Sequence, residues 1–145
     1  MTTNNYPKAY LYMRIVQAKL FMDKCYSEPI TLNNITGEAF FSKYHFIRTF
    51  SKIYGFTPHQ YLKNVRLEKA KQLLKDGMNI SDVCNSVGFE SKSSFVGLFK
   101  KSIGETPATF RQKHFERNSE IKSVPLKFIP SCFAEQIGWN KKRQF

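Results

Sequence analysis

The sequence predicts an all-α fold of about seven helices, built as two helix-turn-helix units joined by one long central helix. The first observation behind this is a repeat. Phe46, Phe50, Gly55, Thr57-Pro58 and Tyr61 return as Phe95, Phe99, Gly104, Thr106-Pro107 and Phe110, each 49 residues later. Leu32, Ile35, Ala39 and Phe41 return 48 residues later as Ile80, Val83, Val87 and Phe89, so the second copy gains one residue near Glu90-Ser91. Two copies are too few for a solenoid, and each reads as a short helix, a turn and a second helix. The second observation is the stretch between the copies. Thr57 can cap a helix, Pro58 suits its first position, strong helix formers carry apolar residues at helical spacing through Leu74, and Gly77 supplies a left-handed end. The third is size: 145 residues with 41% hydrophobic content and 14 Phe can order a modest core but not a large enzyme.

In chain order, residues 1–10 are polar and are expected to be loose. A first helix is predicted over about Leu11 to Tyr26, with Leu11, Ile15, Ala18, Met22 and Cys25 on one stripe and Pro29 enforcing its end. A short helix from Leu32 to Ala39 follows, capped by Thr31. The next opens after Ser42 and runs to about Tyr54, with Phe46, Phe50 and Ile53 inward and Lys43, Tyr44, Ile47, Arg48 and Ser51 outward. After the central helix, Asn79 caps a helix ending near Val87, with Asp82 well placed in its first turn, and Gly88-Phe89-Glu90 forms a turn. Ser91 then caps a helix to about Ser102, with Phe95 and Phe99 inward and Lys92, Ser93, Val96, Gly97 and Lys100 outward. A last helix spans Pro107 to about Asn118. Beyond Ser119, Pro125 and Pro130 predict an extended or disordered basic tail, giving the division 1–10, 11–57, 58–76, 77–118 and 119–145.

The chain carries 23 Lys and Arg against 11 acids, a formal charge of +12, which argues for a polyanionic partner. Only +3 of that lies in Ser119 to Phe145, so the basic character belongs to the helical part. Cys25, Cys84 and Cys132 are odd in number and widely spaced, which suggests neither a disulfide framework nor a zinc site, and points to a reducing compartment. Cys84 faces inward and reads as a small buried thiol. His45, His59 and His114 show no shared ligand spacing. No cofactor, metal or catalytic constellation is predicted, and an enzyme using Cys132 would lack a paired base. The opening residues do not form a signal peptide and no apolar run approaches the roughly 20 residues that span a bilayer, so the chain is read as cytoplasmic, on the nucleoid, and off the membrane.

The string Ile80-Ser81-Asp82-Val83-Cys84-Asn85-Ser86-Val87-Gly88-Phe89-Glu90-Ser91-Lys92-Ser93-Ser94-Phe95, followed by Phe99-Lys100-Lys101, Gly104, Thr106-Pro107 and Phe110-Arg111, resembles the DNA-binding domain of AraC/XylS-type transcription regulators. The upstream copy and Arg66-Leu67-Glu68-Lys69-Ala70-Lys71-Gln72-Leu73-Leu74 are similar to that family too, so the resemblance covers about Leu11 to Phe115. It implies a seven-helix, homeodomain-like pair of subdomains whose two recognition helices enter successive major-groove segments of double-stranded DNA. It also implies control of transcription and contacts with RNA polymerase. Consecutive grooves lie about 34 Å apart. A spacer of about 18 residues at about 1.5 Å each is about 27 Å long, which allows one chain to bridge them as a monomer.

On this reading Arg48 is the leading base reader, because a guanidinium can take guanine O6 and N7 together. Tyr44 is assigned to the backbone or a base edge and Ile47 to a thymine methyl. Lys43, Lys52, Lys92, Lys100 and Lys101 are assigned to phosphates, with a solvated lysine face as the plain alternative. Two departures stand out. Val96 and Gly97 occupy base-facing positions of the second helix where the family often places polar or arginine readers, so Lys92 and Ser93 become its readers and the first unit carries most direct readout. Phe40 replaces the turn glycine, Gly88, of the second copy. With about 105 residues used for DNA binding, no room is left for a small-molecule domain; the chain is either a stand-alone regulator or a piece of a longer one. The rival reading is a general binder of RNA or other nucleic acid without sequence preference.

Overall fold

A computed structural model describes residues 6–36, 42–136 and Gly138. Those residues form helices α1 (Tyr6–Cys25), α2 (Leu32–Thr36), α3 (Lys43–Tyr54), α4 (Pro58–Lys75), α5 (Ile80–Ser86), α6 (Lys92–Ile103) and α7 (Pro107–Ser123), then a 3-10 turn (Pro125–Phe128) and α8 (Ser131–Gln136). No strand occurs among them, and the fold is all-α as expected.

Helix starts are set by side-chain oxygens that satisfy the otherwise orphaned first-turn amides. Ser42 accepts from the His45 amide, Ser91 from Ser94, Asn79 from Asp82 and Thr106 from Thr109. Thr57 and Gln60 close a reciprocal capping box ahead of α4, where Pro58 takes the first position. The α3 and α6 helices both stop at left-handed glycines, Gly55 and Gly104.

The core falls into two clusters that repeat one pattern. Leu11, Ile15, Ala18, Met22, Ile35, Phe46, Phe50 and Leu62 make the first. Leu67, Ala70, Leu74, Val83, Cys84, Val87, Phe95 and Phe99 make the second. In the first, the Phe50 ring meets Tyr61 edge-on at 5.7 Å; in the second, Phe99 meets Phe110 edge-on at 5.5 Å. The α4 helix contributes Leu62 to one cluster and Leu67, Ala70 and Leu74 to the other, so a single rod is built into both.

Several expectations are corrected. Residues 6–10 are helical, not loose: Pro7 falls in the first turn of α1, where its missing N–H costs nothing. Ile53 is exposed instead of inward; Tyr54, one full turn from Phe50, closes on that ring at 4.7 Å and takes the inner place. The α2 helix is described only to Thr36, and the expected Ala39 end, the Phe41 position and the Phe40 turn lie outside the described residues. The α7 helix runs past Asn118 to Ser123, ending where Pro125 forces Val124 out of helical geometry. The segment after it is not extended: the 3-10 turn and α8 follow, and Lys127 pairs with Glu120 to hold the turn against α7. The Lys141-Lys142-Arg143 end is outside the described residues.

Candidate nucleic-acid interface

The start of α3 presents Lys43, Tyr44 and Arg48 to solvent, with Lys52 farther along, because Phe46 and Phe50 are drawn inward. Tyr44 is 73% exposed, an unusual cost for an aromatic ring that the core does not require. Ile47 is half-buried at the edge of the same face. The α6 helix repeats the arrangement with Lys92, Ser93, Gly97, Lys100 and Lys101 exposed. Val96, like Ile47, is half-buried, and it packs against the edge of the second cluster. A Cβ added at Gly97 would meet nothing within 4 Å, so no internal neighbour demands glycine there.

The charge on these faces is left available. Among the described residues the ion pairs are Lys19–Asp23, Lys71–Glu68, Lys113–Glu105 and Lys127–Glu120, and none uses Lys43, Arg48, Lys52, Lys92, Lys100 or Lys101. A groove of about 540 Å³ separates the two clusters, lined among others by His59, Lys63, Arg66, Glu90 and Ser94. The His59 imidazole is pushed below its ordinary range, first by partial burial and then by the charges of Lys63 and Arg66. Lys63 and Arg66, absent from the residues expected at the interface, lie three residues apart on one face of the central helix, the only trace of this cluster in the sequence. Cys84 is buried as expected, and burial pushes its thiol up against a smaller opposing effect of Lys92. No group of three His, Cys, Asp or Glu residues suited to a metal lies together among the described residues, and no described helix is long and apolar enough to cross a membrane.

Residues 35–113 match the family model described as a helix-turn-helix domain, and they contain the first repeat from Ile35 onward, the rod and the second repeat through Phe110. The chain belongs to the AraC/XylS-type helix-turn-helix family. Within the family it is 40% identical over 93 residues to the bifunctional transcriptional activator/DNA repair enzyme AdaA of Bacillus subtilis (strain 168). That match takes in 63% of this chain and 44% of AdaA, so the chain spans less than half the length of that relative. A probable AraC family transcriptional regulator from Rhodopseudomonas palustris CGA009 superposes with a TM-score of 0.62 at 25% identity, over 70% of this chain and 96% of that one. The DNA-binding domain of AdpA, a global transcriptional factor solved in complex with a target DNA, shares the fold with a TM-score of 0.64 at 22% identity, over 77% of this chain and 96% of that one.

Proposed function

We propose that the chain is a sequence-specific, double-stranded DNA-binding transcription regulator, or the DNA-binding part of one, that places α3 and α6 in successive major-groove segments. One observation carries this reading: two like-capped helices present exposed basic faces, Tyr44/Arg48 and Lys92/Ser93, and both are anchored through their cores to a single 18-residue helix. Its length of about 27 Å is compatible with grooves about 34 Å apart. Family membership and the DNA-bound AdpA domain support the same partner. The working division is a first reading unit over 11–57, a linker over 58–76 and a second unit over 77–118, acting as a monomer on DNA in the cytoplasm, without a cofactor and with RNA polymerase as a further partner.

In this assignment Arg48 reads a base, Tyr44 and Ile47 flank it, and Lys43, Lys52, Lys100 and Lys101 hold phosphates. With Val96 half-buried against the second cluster and Gly97 without a side chain, Lys92 and Ser93 are the exposed readers of α6, and the first unit carries most of the discrimination. Selection of bound duplexes from a random pool tests the whole reading. It should return one two-part site with both parts on one face of the DNA. Binding that competes equally with bulk DNA would instead make the protein a general nucleic-acid binder.

Arg48→Ala is expected to cost about 1–3 kcal/mol on the selected duplex and to relax preference at one base pair, whereas Lys100→Ala weakens all sequences alike and lowers the salt slope by about 1. Titrations on specific and random duplexes at several salt concentrations check both, and equal losses on the two duplexes from Arg48→Ala would refute its role.

Gly97→Ala should stabilise the fold by about 1 kcal/mol, because alanine favours a helix interior and the added methyl meets open space. Paired measurements of thermal unfolding and DNA affinity separate the two uses of this glycine. Tolerated weakness predicts unchanged affinity, while close backbone approach to DNA predicts a loss.

A further inference from the structure

The α4 helix is built into both cores, but a shared rod alone leaves the relative rotation of the reading helices free wherever the flanking turns can flex. A small interlock removes that freedom. From the middle of α4 the Arg66 guanidinium reaches back to the chain leaving α1, donating through Nε to the Tyr26 carbonyl at 2.7 Å and through Nη2 to the Glu28 carbonyl at 2.9 Å. The same guanidinium lies 5.9 Å from the ring centroid of Phe89, in the turn between α5 and α6. Next to Phe89 the backbone of Gly88 abuts that chain directly: a Cβ there would stand 2.6 Å from the Ser27 oxygen and 3.0 Å from that of Tyr26. The Tyr26 side chain packs against both core clusters, with the Lys69 ammonium 5.7 Å from its ring.

Three properties make this joint stiff. A guanidinium is planar and presents its donors as a fixed fork, so two carbonyls held by one arginine cannot rotate independently. The acceptors are main-chain oxygens at the end of a helix and cannot adopt another rotamer. The guanidinium is also partly buried, which pushes its pKa down while Glu90 acts in the opposite direction, and its bond to the Tyr26 carbonyl lies on the part-buried side, where water competes less.

We propose that Arg66 is a positioning residue that holds α3 and α6 at one separation and one rotation, and thereby makes the protein selective for a single spacing between its two half-sites. This rests on the functional reading above. B-DNA completes a turn in about 10–10.5 base pairs, so one inserted pair rotates a half-site by about 35° and shifts it along the axis. A rigid reader must then twist the DNA, at an energy that grows with the mismatch. A hinged one follows it.

The test uses the full chain and the two-part duplex returned by random selection, with one or two base pairs inserted or deleted between the half-sites. Wild-type protein should lose about ten-fold or more in affinity per altered pair. In Arg66→Ala and Arg66→Lys the same change should cost about three-fold or less, with base preferences inside each half-site retained, since lysine keeps the charge but lacks the fork. A folded variant that retains the wild-type spacing profile overturns the proposal even if its affinity falls evenly, because an even fall reports lost charge only. If Arg66→Ala loses its helical circular dichroism, Arg66→Lys decides; loss of fold in both makes Arg66 a folding determinant and also overturns it. Wild-type protein that selects no two-part site overturns the functional reading itself, and this proposal with it.

Discussion

Phe50→Ala is expected to lower stability by about 3–5 kcal/mol, the usual loss when a fully buried aromatic ring is truncated. The Phe50 side chain has no exposed surface, and its ring touches Phe46 at 6.1 Å, Tyr54 at 4.7 Å and Tyr61 at 5.7 Å. Those neighbours come from α3 itself and from the start of α4, so the void opens where the reading helix is anchored to the rod and cannot be filled from one side. Against a typical total of about 5–15 kcal/mol, a loss of this size leaves a small domain near its threshold. Urea denaturation followed by circular dichroism checks it. Ile53→Ala is the matched control: three residues away but exposed, it should change stability by less than about 0.5 kcal/mol. Similar losses at the two positions would contradict the placement of Tyr54 on the inner face.

Gly88→Ala should cost about 2–5 kcal/mol. Part is conformational, about 1–2 kcal/mol for forcing a Cβ into the left-handed region at φ +80°. The rest, about 1–3 kcal/mol, is steric, because the new methyl would stand 2.6 Å from a backbone oxygen that cannot change rotamer and can be relieved only by moving one repeat away from the other. Gly55→Ala separates the two contributions. Its φ is also left-handed, at +77°, but its Cβ would meet nothing within 4 Å, so only the conformational cost of about 1–2 kcal/mol is expected. Thermal unfolding of both variants makes the comparison, and equal losses would show that the Ser27–Gly88 contact relaxes freely.

The features read correctly from the sequence share a short range. Caps such as Ser42, Thr57, Asn79 and Ser91 act on an amide three residues away, and the inward stripes of Phe46/Phe50 and Phe95/Phe99 follow from the helical period. The repeat extended those local rules to a second copy. Misreadings arose where two local rules competed. Ile53 and Tyr54 both lie close enough to the Phe46/Phe50 stripe to be drawn inward, and only the ring contact between Tyr54 and Phe50 chose between them. Residues 6–10 carry the polar composition of a loose end, yet Pro7 in a first turn is compatible with the helix that forms there.

By its own pattern, the amino-acid order determined the helical class, the central rod and the basic faces of α3 and α6, because each depends on residues within one or two turns of each other, and it determined the tandem organisation because those local patterns recur after 48–49 residues. Tertiary structure alone decided how the two repeats meet. Arg66 bonds to a carbonyl 40 positions away and Gly88 touches Ser27 across a still longer stretch of chain, and contacts at such separations leave no period in the sequence to read.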